Sequence, residues 1–155
     1  MKKSIAILVM LLSFGIELSA QWTYKTVDNG FDEPFRVAYA ESTTGKEFIK
    51  LYHSSISGYV GLLMYEGYMC SEKPGVEMSF LVNGTWEKYE LLYGLTSEDK
   101  KLFYILTSVK NIESDFRAAS TLKIRVTDDH CGTEIYEFNM KGSGAALDFM
   151  IGGQP

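Results

Sequence analysis

Only two histidines, His53 and His130, occur in the chain, and that scarcity limits most acid–base and metal chemistry at once. His130 belongs to Asp128-Asp129-His130-Cys131, four consecutive residues that could each bind a metal. Zinc sites, however, draw ligands from separated segments at characteristic spacing, and neither Cys-x-x-Cys nor His-x-x-x-His is present. On an extended chain successive side chains alternate faces, so at most two of the four could point together. Asp-Asp ahead of Gly132 is ordinary turn chemistry, and the cluster is read as a turn. A Cys–His nucleophile pair, Cys70 or Cys131 with His53, would need a free thiolate. Ser54, Ser55 and Ser57 lack the Gly-x-Ser-x-Gly setting of a nucleophile elbow. Carboxylate pairs of the glycosidase kind are defined by spatial separation and leave no sequence signature. No catalytic residue, metal or cofactor is therefore nominated.

The compartment bears on the cysteines. Lys2 and Lys3 begin the chain, an apolar run follows from Ile5 to Ile16, and Leu18-Ser19-Ala20 offers small residues before Gln21. This is the pattern of a secretory signal peptide over residues 1–20, and its apolar run is shorter than the ~20 residues a membrane span needs. Gln21 stands where a lipidated leader would require cysteine, so the expectation is a periplasmic or secreted protein with no stable membrane insertion after cleavage. In an oxidising compartment the only two cysteines, Cys70 and Cys131, are expected to pair. The chain-entropy model gives such a bridge about 4 kcal/mol of stabilisation if it is unstrained.

Setting the leader aside leaves residues 21–155, enough for one compact domain. The net charge of −5 for the whole chain becomes −6 without Lys2, Lys3 and Glu17. An acidic domain lacks the clustered Lys and Arg that nucleic-acid binding requires. No repeat, low-complexity tract or Pro-rich linker interrupts it. Aromatics make up 14% of the residues, and with many β-branched residues they favour pleated, half-buried strands.

Alternation places those strands. Residues 59–69 are apolar on both faces, which predicts a central strand. Residues 76–82 lead into Asn83-Gly84 and then 85–92. Asn-Gly between alternating runs signals a type I′ hairpin, because both turn residues need positive φ. The resulting register pairs Met78 with Tyr89 and Val76 with Leu91. It also sets Phe80 opposite Glu87 and Glu77 opposite Glu90, the latter an unfavourable pairing of like charges, which leaves room for a slip or bulge near Trp86. Residues 101–107, 122–126 and 135–140 also alternate, and 22–26, 35–40 and 48–52 are further strand candidates. Val109, Ile112, Phe116 and Ala119 fall at helical spacing, with Asn111 placed to cap the start. A second short helix spans 143–150, with Ser143 as its cap and Ala146, Leu147 and Met150 as its apolar stripe. Strands in succession with one or two short helices near the C-terminus predict a mostly antiparallel β-sandwich. In that arrangement Cys70 ends the central strand and Cys131 sits in the last hairpin turn.

Several of these segments also form a recognisable layout. Trp22 is followed by Asn29-Gly30-Phe31-Asp32; a strand ends in Tyr68-x-Cys70; Phe80 to Gly84 reads Phe-x-Val-Asn-Gly. Leu122 to Val126 then reads Leu-x-Ile-Arg-Val, and Lys141 to Leu147 reads Lys-Gly-Ser-x-x-Ala-Leu. The chain resembles small secreted β-sandwich proteins of Gram-negative bacteria and their phages. It is similar in layout to the invasion-associated locus B family and to a type VI secretion accessory family. The resemblance implies a fold and an exported location. It brings no catalytic residue, and the number and placement of cysteines depart from the invasion-associated pattern.

Tyrosine is the remaining signal. Ten tyrosines occur, with Tyr59, Tyr65, Tyr68, Trp86, Tyr89 and Tyr93 grouped between the central strand and the hairpin. Tyr and Trp join large apolar area to a polar tip and are enriched at interfaces. An exposed Tyr59/Tyr65 face would form a shallow aromatic surface for a protein partner or a sugar ring. The same rings could instead fill the sandwich core with their hydroxyls at its rim, and their position relative to solvent decides between the two. The function expected is that of an exported, non-enzymatic binding or structural protein contacting another macromolecule of the envelope or exterior. The alternatives are a carbohydrate-binding module using the aromatic face, and a small exported hydrolase.

Overall fold

The Asn83-Gly84 turn forms as its residue types demand. Asn83 has φ 50° and Gly84 φ 83°, and together they join β5 (Gly75–Val82) to β6 (Thr85–Thr96). Val82 pairs with Thr85, and the register runs regularly through Trp86–Leu81 and Lys88–Ser79 to Tyr89–Met78. The expected irregularity is present at the far end of the hairpin rather than near Trp86. Between Met78 and Val76 the register shifts, so that Val76 pairs with Leu92 and not Leu91. One β5 residue, Glu77, then stands against two on β6, Glu90 and Leu91, as in a β-bulge. The bulge leaves Glu77 without a single directly paired residue on β6. Glu77 instead pairs across the other edge of β5 with Arg125, whose Nη1 lies 2.7 Å from its carboxylate.

The computed structural model describes residues 22–28, 30, 34–53, 60–65, 74–96, 102–105 and 112–152, with the backbone alone at 52, 53, 60–65, 90–96 and 102–105. The other described strands are β1 (Thr23–Val27), β2 (Phe35–Glu41), β3 (Phe48–His53), β4 (Val60–Tyr65), β7 (Leu102–Ile105), β8 (Thr121–Asp128) and β9 (Gly132–Asn139). Hydrogen bonding runs in the order β1-β2-β3-β4-β7-β6-β5-β8-β9, and every pairing is antiparallel. The ladder divides into two sheets at β6. Its residues up to Tyr93 pair with β5, whereas Gly94, Leu95 and Thr96 pair with β7. The result is the expected β-sandwich-like, mostly β fold, with β4 in the interior position predicted for it between β3 and β7.

The core lies between these sheets. Val76, Met78 and Phe80 from β5, Leu122, Ile124 and Val126 from β8, and Tyr136 and Phe138 from β9 share one buried cluster with Ala38, Ala40, Ile49 and Leu51 from β2 and β3. The period-2 pattern of residues 122–126 is thus realised, apolar inward and basic outward. A file of aromatic rings crosses the cluster. Trp22 meets Phe116 at 5.8 Å between centroids, Phe116 meets Phe80 at 6.2 Å, and Phe80 meets Tyr89 at 5.7 Å. At the rim the Tyr89 hydroxyl donates to Asp115 Oδ2 at 2.5 Å.

That contact makes stability depend on alkaline pH. The bond to Asp115, aided by burial, raises the Tyr89 pKa from 10.0 to about 12. The folded state therefore holds this proton more tightly than the unfolded chain does. Its contribution is complete below pH 10 and is lost as pH rises from about 10 to about 12. Discounted for solvent screening, the loss is on the order of 1 kcal/mol. Urea titrations across that range should show it in the wild type and not in Tyr89→Phe.

Two short helices complete the cluster, α1 (Glu113–Ala118) and α2 (Ser143–Ile151). α2 packs on β2 and β3, and α1 packs on α2 and β5. Their apolar positions are those the spacing predicted: Ile112, Phe116 and Ala119, then Ala146, Leu147 and Met150, are all buried. Their caps differ. Ile112 is the N-cap of α1 and no side chain caps it; Asn111 and Val109 lie outside the described residues. Gly142, at φ 90°, is the N-cap of α2, a left-handed conformation that glycine adopts without steric cost. Ser143 is buried and its Oγ donates to the carbonyl of Phe116 at 2.6 Å. The hydroxyl thus satisfies an orphan carbonyl at the end of α1 instead of capping its own helix. Arg117 adds a second tie, pairing with Glu113 at 2.8 Å and Asp148 at 2.9 Å and donating to the Gly144 carbonyl at 3.1 Å. Ser143→Ala leaves a buried carbonyl unpaired and is expected to cost about 1–3 kcal/mol, measurable as a lower urea midpoint at unchanged slope.

Candidate functional site

The sequence-predicted positions separate. Cys70 and Tyr59 lie outside the described residues. Tyr65 is the last residue of β4, paired with Leu102, and His53 ends β3, paired with Val60; for both, the side chain lies outside the described part. The proposed Tyr59/Tyr65 face is therefore not placed. Of the grouped aromatics, Tyr89 is half-buried against Phe80, with its hydroxyl at the core rim, and Trp86 is exposed.

The Asp128–Cys131 segment is the β8–β9 turn. Asp128 is buried, and its Oδ1 accepts the backbone N–H of His130 at 2.8 Å and of Cys131 at 3.2 Å. Asp129, His130 and Cys131 are exposed. The Asp side chain organises the turn's own backbone, as Asx turns do. Cys131 occupies the hairpin turn assigned to it. Among the described residues no group of three or more His, Cys, Asp or Glu side chains is placed to hold a metal ion.

The concentration of chemistry lies elsewhere, on the outer face of the sheet formed by β6, β5, β8 and β9. Pleating sends alternate residues of each strand outward, and the observed pairings line these residues up in rows. Trp86, Leu81 and Thr121 form one row; Lys88, Ser79, Lys123 and Glu137 form the next; Glu77, Arg125 and Ile135 form a third. Cross-strand pairs of opposite charge bind the rows together. Arg125 holds Glu77 at 2.7 Å, and Lys123 lies 3.3 Å from Glu137. The Lys123 ammonium also sits over the Trp86 ring, 5.0 Å from its centroid, a cation–π contact. Two large apolar side chains stand out on this face, Trp86 at 39% and Ile135 at 58% exposure. Glu77, Ser79, Lys88, Lys123, Arg125 and Ile135 line a depression on the same face.

The sequence marks this face only in part. The basic-outward alternation of 122–126 marks Lys123 and Arg125, and the hairpin register puts Lys88 opposite Ser79. Nothing in the sequence shows that β5 and β8 are neighbours, and without that pairing Ser79 and Lys123 have no reason to meet.

Among the described residues no helix is long and apolar enough to cross a membrane. No family model matches the chain, and no curated protein matches it. Among solved structures the chain is similar to the crystal structure of invasion associated protein B from Bartonella henselae. The two are 15% identical, the TM-score is 0.57, and the likeness covers 85% of this chain and 92% of that one. At this identity the likeness concerns the backbone arrangement. The resemblance read from the strand, turn and helix segments is thus matched in three dimensions, and the chain shares the fold of invasion associated protein B.

Proposed function

We propose that this chain is an exported, non-enzymatic protein of the periplasm or exterior that binds another macromolecule through the outer face of β6, β5, β8 and β9. The observation that carries this reading is the exposure of Trp86 and Ile135 on a four-stranded face that also bears cross-strand charge pairs. Aromatic and aliphatic anchors ringed by polar groups are what interfaces use. The leader pattern of residues 1–20 supports export, and the likeness to invasion associated protein B supports the scaffold. A bridge between Cys70 and Cys131 belongs to the same reading, since an exported chain folds under oxidising conditions. A carbohydrate ligand is the second reading, and the exposed indole of Trp86 offers it an aromatic surface. Hydrolysis has less support: His130 is exposed on a turn whose Asp128 carboxylate already accepts two backbone N–H groups.

Expression with the leader, followed by intact-mass measurement of the exported fraction, is expected to give a chain beginning at Gln21. Immobilised mature protein is expected to retain material from envelope and culture-medium fractions. Retention should fall at least tenfold in a Trp86→Ala, Ile135→Ser double variant and stay unchanged in Glu113→Gln. Equal retention by the face variant, or turnover of a substrate by the mature protein, would overturn the reading.

A further inference from the structure

We propose that the depression over Ser79 is a binding site for a carboxylated saccharide, whose acidic group is held between Lys88 and Lys123 and whose ring rests against Trp86. The proposal rests on the binding role given above to this face and names its ligand class.

Register builds the site. Ser79 on β5 pairs with Lys88 on β6 across one edge and with Lys123 on β8 across the other. Arg125 stands two residues along β8, on the same side of the sheet. Serine is the shortest side chain among these, so the long cationic chains form walls around a low polar floor, and these residues line the depression. Among the described side chains in the Ser79 and Glu77 rows the cations outnumber the carboxylates by one. Arg125 is matched by Glu77 and Lys123 by Glu137. Among the described residues neither Lys88 nor the Ser79 hydroxyl has a hydrogen-bond or ion-pair partner. One carboxylate would supply the missing negative charge and accept from both. Lys123 is the adaptable member. Its 3.3 Å pair with Glu137 is half-exposed, and exchange of that partner for a ligand carboxylate leaves Glu137 free to accept sugar hydroxyls.

A bare anion would leave the exposed part of the Trp86 ring, beyond its contact with Lys123, without a ligand. Trp86 lies two residues from Lys88 on the same side of β6, about 7 Å along the strand. Lys123 reaches both ends of the site, since its ammonium lies 5.0 Å from the Trp86 ring centroid. An aromatic surface beside charged and hydroxyl groups suits a ring with apolar C–H faces and a polar edge. A depression open on a sheet face, unlike an enclosed pocket, accommodates a unit within a longer chain.

The test uses the ¹⁵N-labelled mature protein, whose two tryptophans give two indole N–H signals. Trp22 is buried and serves as the internal control; Trp86 is the reporter. The probes are a tetragalacturonate, sialyllactose, neutral lactose and a hexaglutamate peptide. The expected result is a shift of the Trp86 signal alone with a carboxylated sugar, at least tenfold weaker for lactose and for hexaglutamate. Affinity should also fall at least tenfold in Lys88→Gln and in Ser79→Ala, Lys88→Gln, both verified as folded by the unchanged Trp22 signal. The relative affinities of the galacturonate and sialyl arms distinguish a uronate polymer from a sialylated glycan as the source. Equal binding of lactose, equal binding by Lys88→Gln, or a preference for hexaglutamate would each overturn the proposal, the last in favour of an acidic peptide. If no probe moves Trp86, the saccharide assignment falls. Persistence of face-dependent retention in that case would leave the broader binding role standing, and its loss would remove both.

Discussion

Phe116→Ala is expected to lower the unfolding free energy by about 3–5 kcal/mol. The ring is fully buried and is the middle member of the aromatic file, touching Trp22 on one side and Phe80 on the other. It is also the principal anchor of a six-residue helix, far shorter than the ~12–15 residues at which an isolated helix becomes marginally stable in water. Truncation therefore does more than open a cavity. Without the ring α1 loses its main hold on the core, and two contacts that depend on its position weaken with it. One is the Ser143 hydroxyl bond to the Phe116 carbonyl; the other is the Tyr89 bond to Asp115. Urea unfolding followed by tryptophan emission measures the effect directly, because Trp22 lies against the substituted position. A cost below about 1 kcal/mol would mean that α1 is held by its polar ties alone.

Reduction of the proposed Cys70–Cys131 bridge is expected to cost about 4 kcal/mol. The two cysteines are far apart in sequence, so the closed loop is long, and loop length sets the entropy removed from the unfolded chain. Cys131 stands in a turn whose backbone N–H groups at His130 and Cys131 donate to Asp128 Oδ1. Intact mass before and after alkylation without reductant should show both thiols blocked, and denaturation with and without reductant should separate by that amount. A Cys70→Ser, Cys131→Ser variant should unfold at the same urea concentration as the reduced wild type. Two reactive thiols in the exported protein would remove the bridge from the account.

What the sequence made legible follows the range of the interactions involved. The Asn83-Gly84 hairpin could be read because a few consecutive residues determine it, and the Glu77–Glu90 conflict pointed to an irregular register without locating it. The place of the break could not be read. Relief came from Arg125, which reaches Glu77 only because β8 lies on the other edge of β5. The helix stripes were legible for the same local reason. The caps were not, since a serine at a helix start is a cap by type, and only the packed fold reveals that Ser143 faces the end of α1. The outer-face site shows the limit most clearly. Trp86 was one of several grouped aromatics, Lys123 one of two outward cations and Ser79 an unremarked serine. Their convergence is a product of strand order, a long-range property that periodicity does not encode.

The passage of β6 from one sheet to the other has a mechanical corollary. Because a single strand ends in one layer and begins in the other, no seam of side-chain contacts alone separates them. The Tyr93–Gly94 link joins the layers covalently while each keeps its own ladder, so parting them leaves those main-chain bonds intact and must instead break the single side-chain core to which both layers contribute. Amide deuteration in β2 and β8, on opposite sides of that junction, should accordingly proceed through one shared opening event, with matching free energies.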